Sequence, residues 1–158
     1  MKSLNTRELT EQEIEFIERM GMSALADGLS RIAGRIWGVL MISEDPLSST
    51  RLSELLAISK GSLSTNTHSL EALDIIDRHY VSGARQEHFS IKPNPYRILV
   101  EGQIKRFETS CKFLAETRKK LPGKTAQRRL KELEQFYTIY GETCKIVITE
   151  LDKHDRKN

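Results

Sequence analysis

Between Ser48 and Ile91 the chain changes its residue periodicity twice, and this limits its fold more than any bulk property does. Leu52, Leu55 and Leu56 give one apolar face to a short helix that Ser48 or Ser49 can cap. After Ala57-Ile58, the Ser59 hydroxyl is placed to accept from a first-turn amide, opening a second helix that runs to about Leu73. Ile75 to Val81 and Gln86 to Lys92 then alternate as strands do, on either side of Gly83-Ala84. Glycine first in a two-residue turn suits type II′. That turn puts Ile76, Arg78, Tyr80, Glu87, Phe89 and Ile91 on one face, with Ser82 and Arg85 at the tip. It sets His79 opposite His88 on the other face.

The second helix has an unusual outer side. With Leu63 at the origin of a helical wheel, Leu70, Thr67 and Leu73 fall on the buried side. Gly61, Ser62, Thr65, His68 and Ser69 fall between about 140° and 260° from it, with Asn66 at the margin. All are small or hydrogen-bonding, and none is acidic. A solvated helix face more often carries Lys and Glu in pairs one turn apart. Ser, Thr and Asn suit base edges in a DNA major groove, while Lys60 and the first-turn amides suit phosphate. Gly61 would let a nucleic-acid backbone approach the helix start, and Arg85 could enter a minor groove. The plainer alternative is a polar surface helix and an exposed turn arginine, with no partner.

The rest of the 158 residues looks helical and suited to support such a segment. Hydrophobic residues make up 38% and charged residues 30%, the balance of a folded, helix-rich chain. Thr10 with Glu13 is a capping-box pair. Behind it Ile14, Ile17, Gly21, Ala24 and Gly28 recur at helical steps, widened by Met20 and Leu25. A helix from about Leu29 to Ser43 holds Ile32, Ile36, Trp37, Val39 and Leu40, with Gly34 and Gly38 one turn apart for close backbone approach. Glu44-Asp45-Pro46 ends it. Pro93-Asn94-Pro95 stops the second strand and restarts a helix, with Asn94 as cap. Val100, Ile104, Phe107, Cys111, Leu114 and Leu121 then keep a seven-residue repeat, with Arg118 in its one polar slot. After Pro122-Gly123, Leu130, Leu133, Tyr137, Tyr140, Cys144, Val147 and Leu151 form an uninterrupted seam. Phe136, Ile139, Ile146 and Ile148 lie beside it, a stripe wide enough for a second neighbour.

Charge and motif content narrow the function. Residues 1–30 hold three basic and six acidic groups, 31–92 seven of each, and 93–158 fifteen basic and nine acidic. The reading segment is therefore neutral, and affinity for DNA would need well-placed charges or two copies of the domain. Cys111 and Cys144 both lie in expected helices, so no disulfide framework is expected. With no apolar run of membrane length and no leader pattern at the start, a cytoplasmic protein is expected. No P-loop, G-x-S-x-G, H-E-x-x-H or dinucleotide-binding glycine pattern points to an enzyme. His79 and His88 lack further ligands for zinc, and no metal or cofactor is implied. Arg118, Lys119, Lys120, Lys124, Arg128, Arg129 and Lys131 surround the last turn, either as a solvated corner or as an auxiliary phosphate patch.

Helix, turn, helix and two-stranded wing in this order resemble the winged helix-turn-helix of the MarR superfamily. More narrowly, G-R-I-W-G at 34–38, P-L-S at 46–48 and S-K-G-S-L-S at 59–64 look like the GbsR-type branch of bacterial transcriptional regulators. Gly83 and Arg85 also match. The resemblance implies a mainly α fold with a small β wing, and a homodimeric repressor on double-stranded DNA carrying a palindromic operator. Residues 1–28 would form an N-terminal dimerisation helix, 29–93 the winged helix-turn-helix, and 94–158 C-terminal dimerisation helices. DNA contacts are expected from Ser59, Lys60, Gly61, Ser62, Ser64, Thr65, Asn66, His68, Ser69 and Arg85. Some relatives sense small molecules, including quaternary ammonium compounds, and Trp37, Phe107, Phe136, Tyr137 and Tyr140 are candidates for an aromatic effector site or simply for packing. Two departures stand out: Asp74 where a glycine usually ends the recognition helix, and Gln86 where a second basic wing residue is common. The competing function is a winged-helix protein-interaction module, with Leu52, Leu55 and the wing meeting protein instead of DNA.

Overall fold

Thr10 and Glu13 close the capping box, each side chain meeting the other residue's backbone N–H, and this starts α1 (Glu11–Ala26). Arg7 adds a two-pronged ion pair to Glu13, at 2.8 and 2.6 Å. Guanidinium and amide donors together hold the Glu13 carboxyl well below the usual carboxylate range, at about 2. Gly28 ends the helix with φ 84, and Ser30 caps α2 (Arg31–Met41) by accepting from the Ala33 amide. The two helices meet almost backbone to backbone. A Cβ at Gly34 would lie 2.5 Å from both the Ala24 Cβ and the Met20 carbonyl oxygen, and one at Gly38 3.2 Å from the Ile17 Cα.

The structure, a computed structural model, describes residues 3–80 and 86–155. They fall into two compact units, Met1–Pro95 and Tyr96–Asn158. The first continues from α2 through β1 (Leu47–Ser48), α3 (Ser49–Leu56), α4 (Lys60–Ala72), β2 (Ile76–Tyr80) and β3 (Glu87–Ile91). The sheet order is β1-β3-β2, all antiparallel. The hairpin register is the expected one, with Ile76 opposite Ile91 and His79 opposite His88. β1 was not expected: two residues show no periodicity, and only pairing with Phe89 and His88 defines them. Ile17, Ile36, Val39, Leu52, Leu70, Ile75 and Phe89 are buried in one core between helices and wing. A fully buried side chain of this size contributes about 1.5–3 kcal/mol.

The second unit is a helical hairpin, α5 (Pro95–Lys120) and α6 (Lys124–Asp155). Gly123 makes its turn at φ 99, and Asn94, expected as the cap, sits in the left-handed region at φ 50. Leu114 and Cys144 are buried in the seam. Phe107 stacks on Tyr137 at 5.1 Å between ring centres and meets Tyr140 edge-on at 5.0 Å. Arg118, the polar slot, faces Glu134 at 3.3 Å, an interhelical ion pair that explains why a charge interrupts the repeat. The residues beside the seam are bare, Ile139 being 68% and Ile146 63% exposed. Cys111 and Cys144 are free thiols, and among the described residues no helix is long and apolar enough to cross a membrane.

Two outcomes follow from the first unit. Gly34→Ala should lower its unfolding free energy by about 1–3 kcal/mol, although alanine favours a helix, because the added methyl meets backbone; urea titration measures it. Glu13→Gln should cost about 1 kcal/mol at neutral pH. A carboxyl whose folded pKa is depressed stabilises only above its ordinary range, so this difference should vanish as the pH falls from about 5 towards 2.

Candidate nucleic-acid interface

α3 stops at Ala57, which takes the left-handed conformation at φ 51 and turns the chain sharply. Ser59 then caps α4, its hydroxyl accepting from the Ser62 amide at 3.2 Å. Leu63, Thr67 and Leu70 are buried beneath the helix, as the wheel predicts. On the opposite side Gly61, Thr65, His68 and Ser69 are exposed and Ser62 is half-buried, while Lys60 and Ser64 are exposed on the flank towards the wing. Around the point where a Gly61 Cβ would sit there is open space out to 4 Å. The first turn can therefore be approached closely, and its Lys60 and Gly61 amides have no partner within the helix.

The hydroxyls on this face divide into two kinds. Thr65 donates to the Gly61 carbonyl and Ser69 to the Thr65 carbonyl, both at 3.1 Å. Their protons are used within the helix, so outward they offer acceptor lone pairs. Ser62 and Ser64 make no side-chain hydrogen bond among the described residues and can present either role. Asn66 is a correction to the expected reading set. It is 8% exposed, its Oδ1 takes the Ser30 hydroxyl proton, and its Nδ2 donates to the Ser62 carbonyl at 2.7 Å. The wheel set it at the margin, and packing against the start of α2 drew it inside.

The wing is anchored by an arginine whose partner was not legible in the sequence. Arg78 on β2 donates twice to Glu71 of α4, at 2.8 and 2.5 Å, and once to Glu87 of β3 at 2.7 Å. It also stacks over Phe89 at 5.3 Å from the ring centre. Asp74 settles the question raised by its missing glycine. It adopts φ 59 itself, and Lys92 holds its carboxylate at 2.6 Å. The Asp74 and Ile75 amides close the helix end on Glu71 and Leu70 carbonyls. The expected tip of the wing, Ser82 to Arg85, lies outside the described residues.

Internal pairing accounts for most of the cations near the site. Of the seven basic residues from 31 to 92, Arg31 and Arg35 meet Glu18, Arg51 meets Glu54 and Glu8, Arg78 meets Glu71 and Glu87, and Lys92 meets Asp74. Arg51 also donates to the Leu4 carbonyl at 2.8 Å and to the Arg7 carbonyl, tying down the N-terminal arm, a role with no sequence signature. Lys60 is exposed and has no ion pair among the described residues. On the wing's other face His79 contacts the Ser90 hydroxyl at 2.7 Å. Among the described residues no group of three or more metal-ligating side chains comes together. In the second unit Lys119, Lys120, Lys124, Arg129 and Lys131 are exposed, whereas Arg118 and Arg128 face Glu134 and Glu132. Of the effector candidates, Phe107, Tyr137 and Tyr140 join Phe136 in one ring cluster. Trp37 belongs to the first unit.

Comparison with known proteins agrees with this geometry. The chain is 27% identical, over 91% of its length and 87% of the relative's, to MmpR5 of Mycobacterium tuberculosis, an HTH-type transcriptional regulator. It is 24% identical, over 58% of its length and 52% of the relative's, to YvaV of Bacillus subtilis, provisionally named an HTH-type transcriptional regulator. A crystal structure of a transcriptional regulator matches 90% of this chain and 99% of its own, with a TM-score of 0.71 and 26% identity. No family model matches. With helix-turn-helix, wing and relatives in accord, the chain is a DNA-binding transcription regulator of the winged helix-turn-helix type.

Proposed function

We propose that the chain works as a GbsR-type homodimeric repressor that reads a palindromic operator. The observation that carries this is the outer face of α4: exposed, uncharged but for Lys60, and open at Gly61. In this reading Ser62, Ser64, Thr65, His68 and Ser69 meet base edges. Ser59, Lys60 and the first-turn amides meet phosphate, and Arg85 reaches the minor groove. Residues 29–93 do the reading.

A single copy is electrostatically weak, because five of its seven nearby cations are committed to internal carboxylates. Two copies double the phosphate contacts and set half-sites one helical turn apart or multiples of it. The bare apolar residues of α6, Phe136, Ile139 and Ile146, and of α1, Ile14, Met22 and Leu25, suit burial against a second copy. Residues 1–28 and 94–158 are assigned that task. An effector, if the protein takes one, has a cavity of about 420 Å³ in the second unit, walled by Phe107 and Tyr137 beside Glu108 and Lys145. The Trp37 indole N–H, buried and without a hydrogen bond among the described residues, is a separate candidate contact in the first unit.

Selection of bound duplex from a random pool should enrich a two-fold symmetric sequence. On that duplex Lys60→Ala should weaken all binding alike and reduce the salt slope by about one per half-site. Ser62→Ala and Thr65→Ala should each erode base preference by about tenfold with the dimer intact. A chain that sediments as a monomer at micromolar concentration, or enrichment of no sequence, would refute the assignment.

A further inference from the structure

Resting on the DNA-reading assignment above, we propose that Asn66 is a positioning residue for operator recognition, clipped by Ser30 so that α2 fixes the rotation of the reading helix about its own axis. Three polar groups form one directed chain. The Ala33 amide donates to the Ser30 hydroxyl at 2.9 Å, that hydroxyl donates to Asn66 Oδ1, and Asn66 Nδ2 donates to the Ser62 carbonyl at 2.7 Å. Chemistry leaves no other arrangement. The Ser62 carbonyl can only accept, so the Asn66 amide nitrogen must face it and the oxygen must face Ser30. Ser30, already accepting from Ala33, must then supply its proton.

The clip joins elements that hydrophobic packing alone aligns loosely. Leu63, Thr67 and Leu70 hold α4 against the core, yet apolar contacts are non-directional and tolerate small rotations. A hydrogen bond tolerates little misalignment. Asn66 Nδ2 meets the backbone of Ser62, a proposed base-contacting residue three positions from Thr65. A turn of α4 about its axis would swing both side chains sideways relative to the bases. The frame that the clip refers to is itself stiff, since α2 is locked to α1 at Gly34 and reaches the last turn of α3 through Arg35, which donates to the Leu56 carbonyl at 3.2 Å.

The test is the ratio of affinities for the selected operator and for a scrambled duplex, measured on the full chain. Ser30→Asp retains an acceptor to cap α2 but has no proton for Asn66; Ser30→Ala removes both functions and carries no new charge; Ser30→Thr retains both. The ratio should fall by about tenfold or more in Ser30→Asp and Ser30→Ala and stay within about twofold of the unaltered protein in Ser30→Thr. A general electrostatic effect of the aspartate cancels in the ratio. Asn66→Ala should lower the ratio as far, and adding Ser30→Ala to it should lower it no further. Folded Ser30→Asp and Ser30→Ala proteins that melt earlier but keep the full ratio would overturn the proposal, leaving the clip a stability element. An unaltered protein with no preference between duplexes would instead bring down the DNA-reading assignment, and the positioning role with it.

Discussion

The approach of α1 to α2 through Gly34 and Gly38 is the contact on which the first unit is organised. With 2.5 Å between a Gly34 Cβ position and the Met20 carbonyl oxygen, only a residue lacking a side chain lets the helices lie so close. From that fixed axis α2 reaches α3, α4 and β3. Its cap touches α4 through Asn66, Arg35 touches the last turn of α3, and Ile36 and Val39 enter the core. A small displacement of α2 would be passed on to the helix-turn-helix, because close-packed interiors transmit strain.

Electrostatics in this unit serves shape more than attraction. Arg78 joins the reading helix to the wing, Lys92 steadies the left-handed Asp74, and Arg51 fastens the N-terminal arm. The two arginine contacts are partly buried, where geometry is held more firmly than on an open surface, whereas the Lys92 pair is exposed. The consequence is a neutral reading segment whose outward character comes from hydroxyls and amides. That suits discrimination among sequences better than indiscriminate adhesion, since phosphate attraction carries no sequence information.

Much of the local architecture was legible from single residues. The capping box at Thr10, the Ser59 cap, the buried side of α4 and the hairpin register all follow from short-range rules, and the structure reproduces them. The exceptions share a physical cause. Asn66 lay at the wheel's margin, and the presence of Ser30 thirty-six positions away moved it from the surface to the interior. β1 is only two residues and exists because Phe89 and His88 pair with it. Asp74 looked unsuited to its position, but Lys92 and the helix-end amides hold it there.

Sequence by itself determined the order of the helices and of the two wing strands, which faces are apolar, and that one helix offers small polar groups outward. These depend on backbone periodicity and on hydrogen bonds within a few residues. Tertiary structure decided which charges are paired internally, which polar side chain turns inward, and which contacts tie α4 to α2 and to the wing. Those outcomes depend on partners distant in the chain, and neither composition nor period records the distance at which a guanidinium meets a carboxylate or a hydroxyl meets an amide.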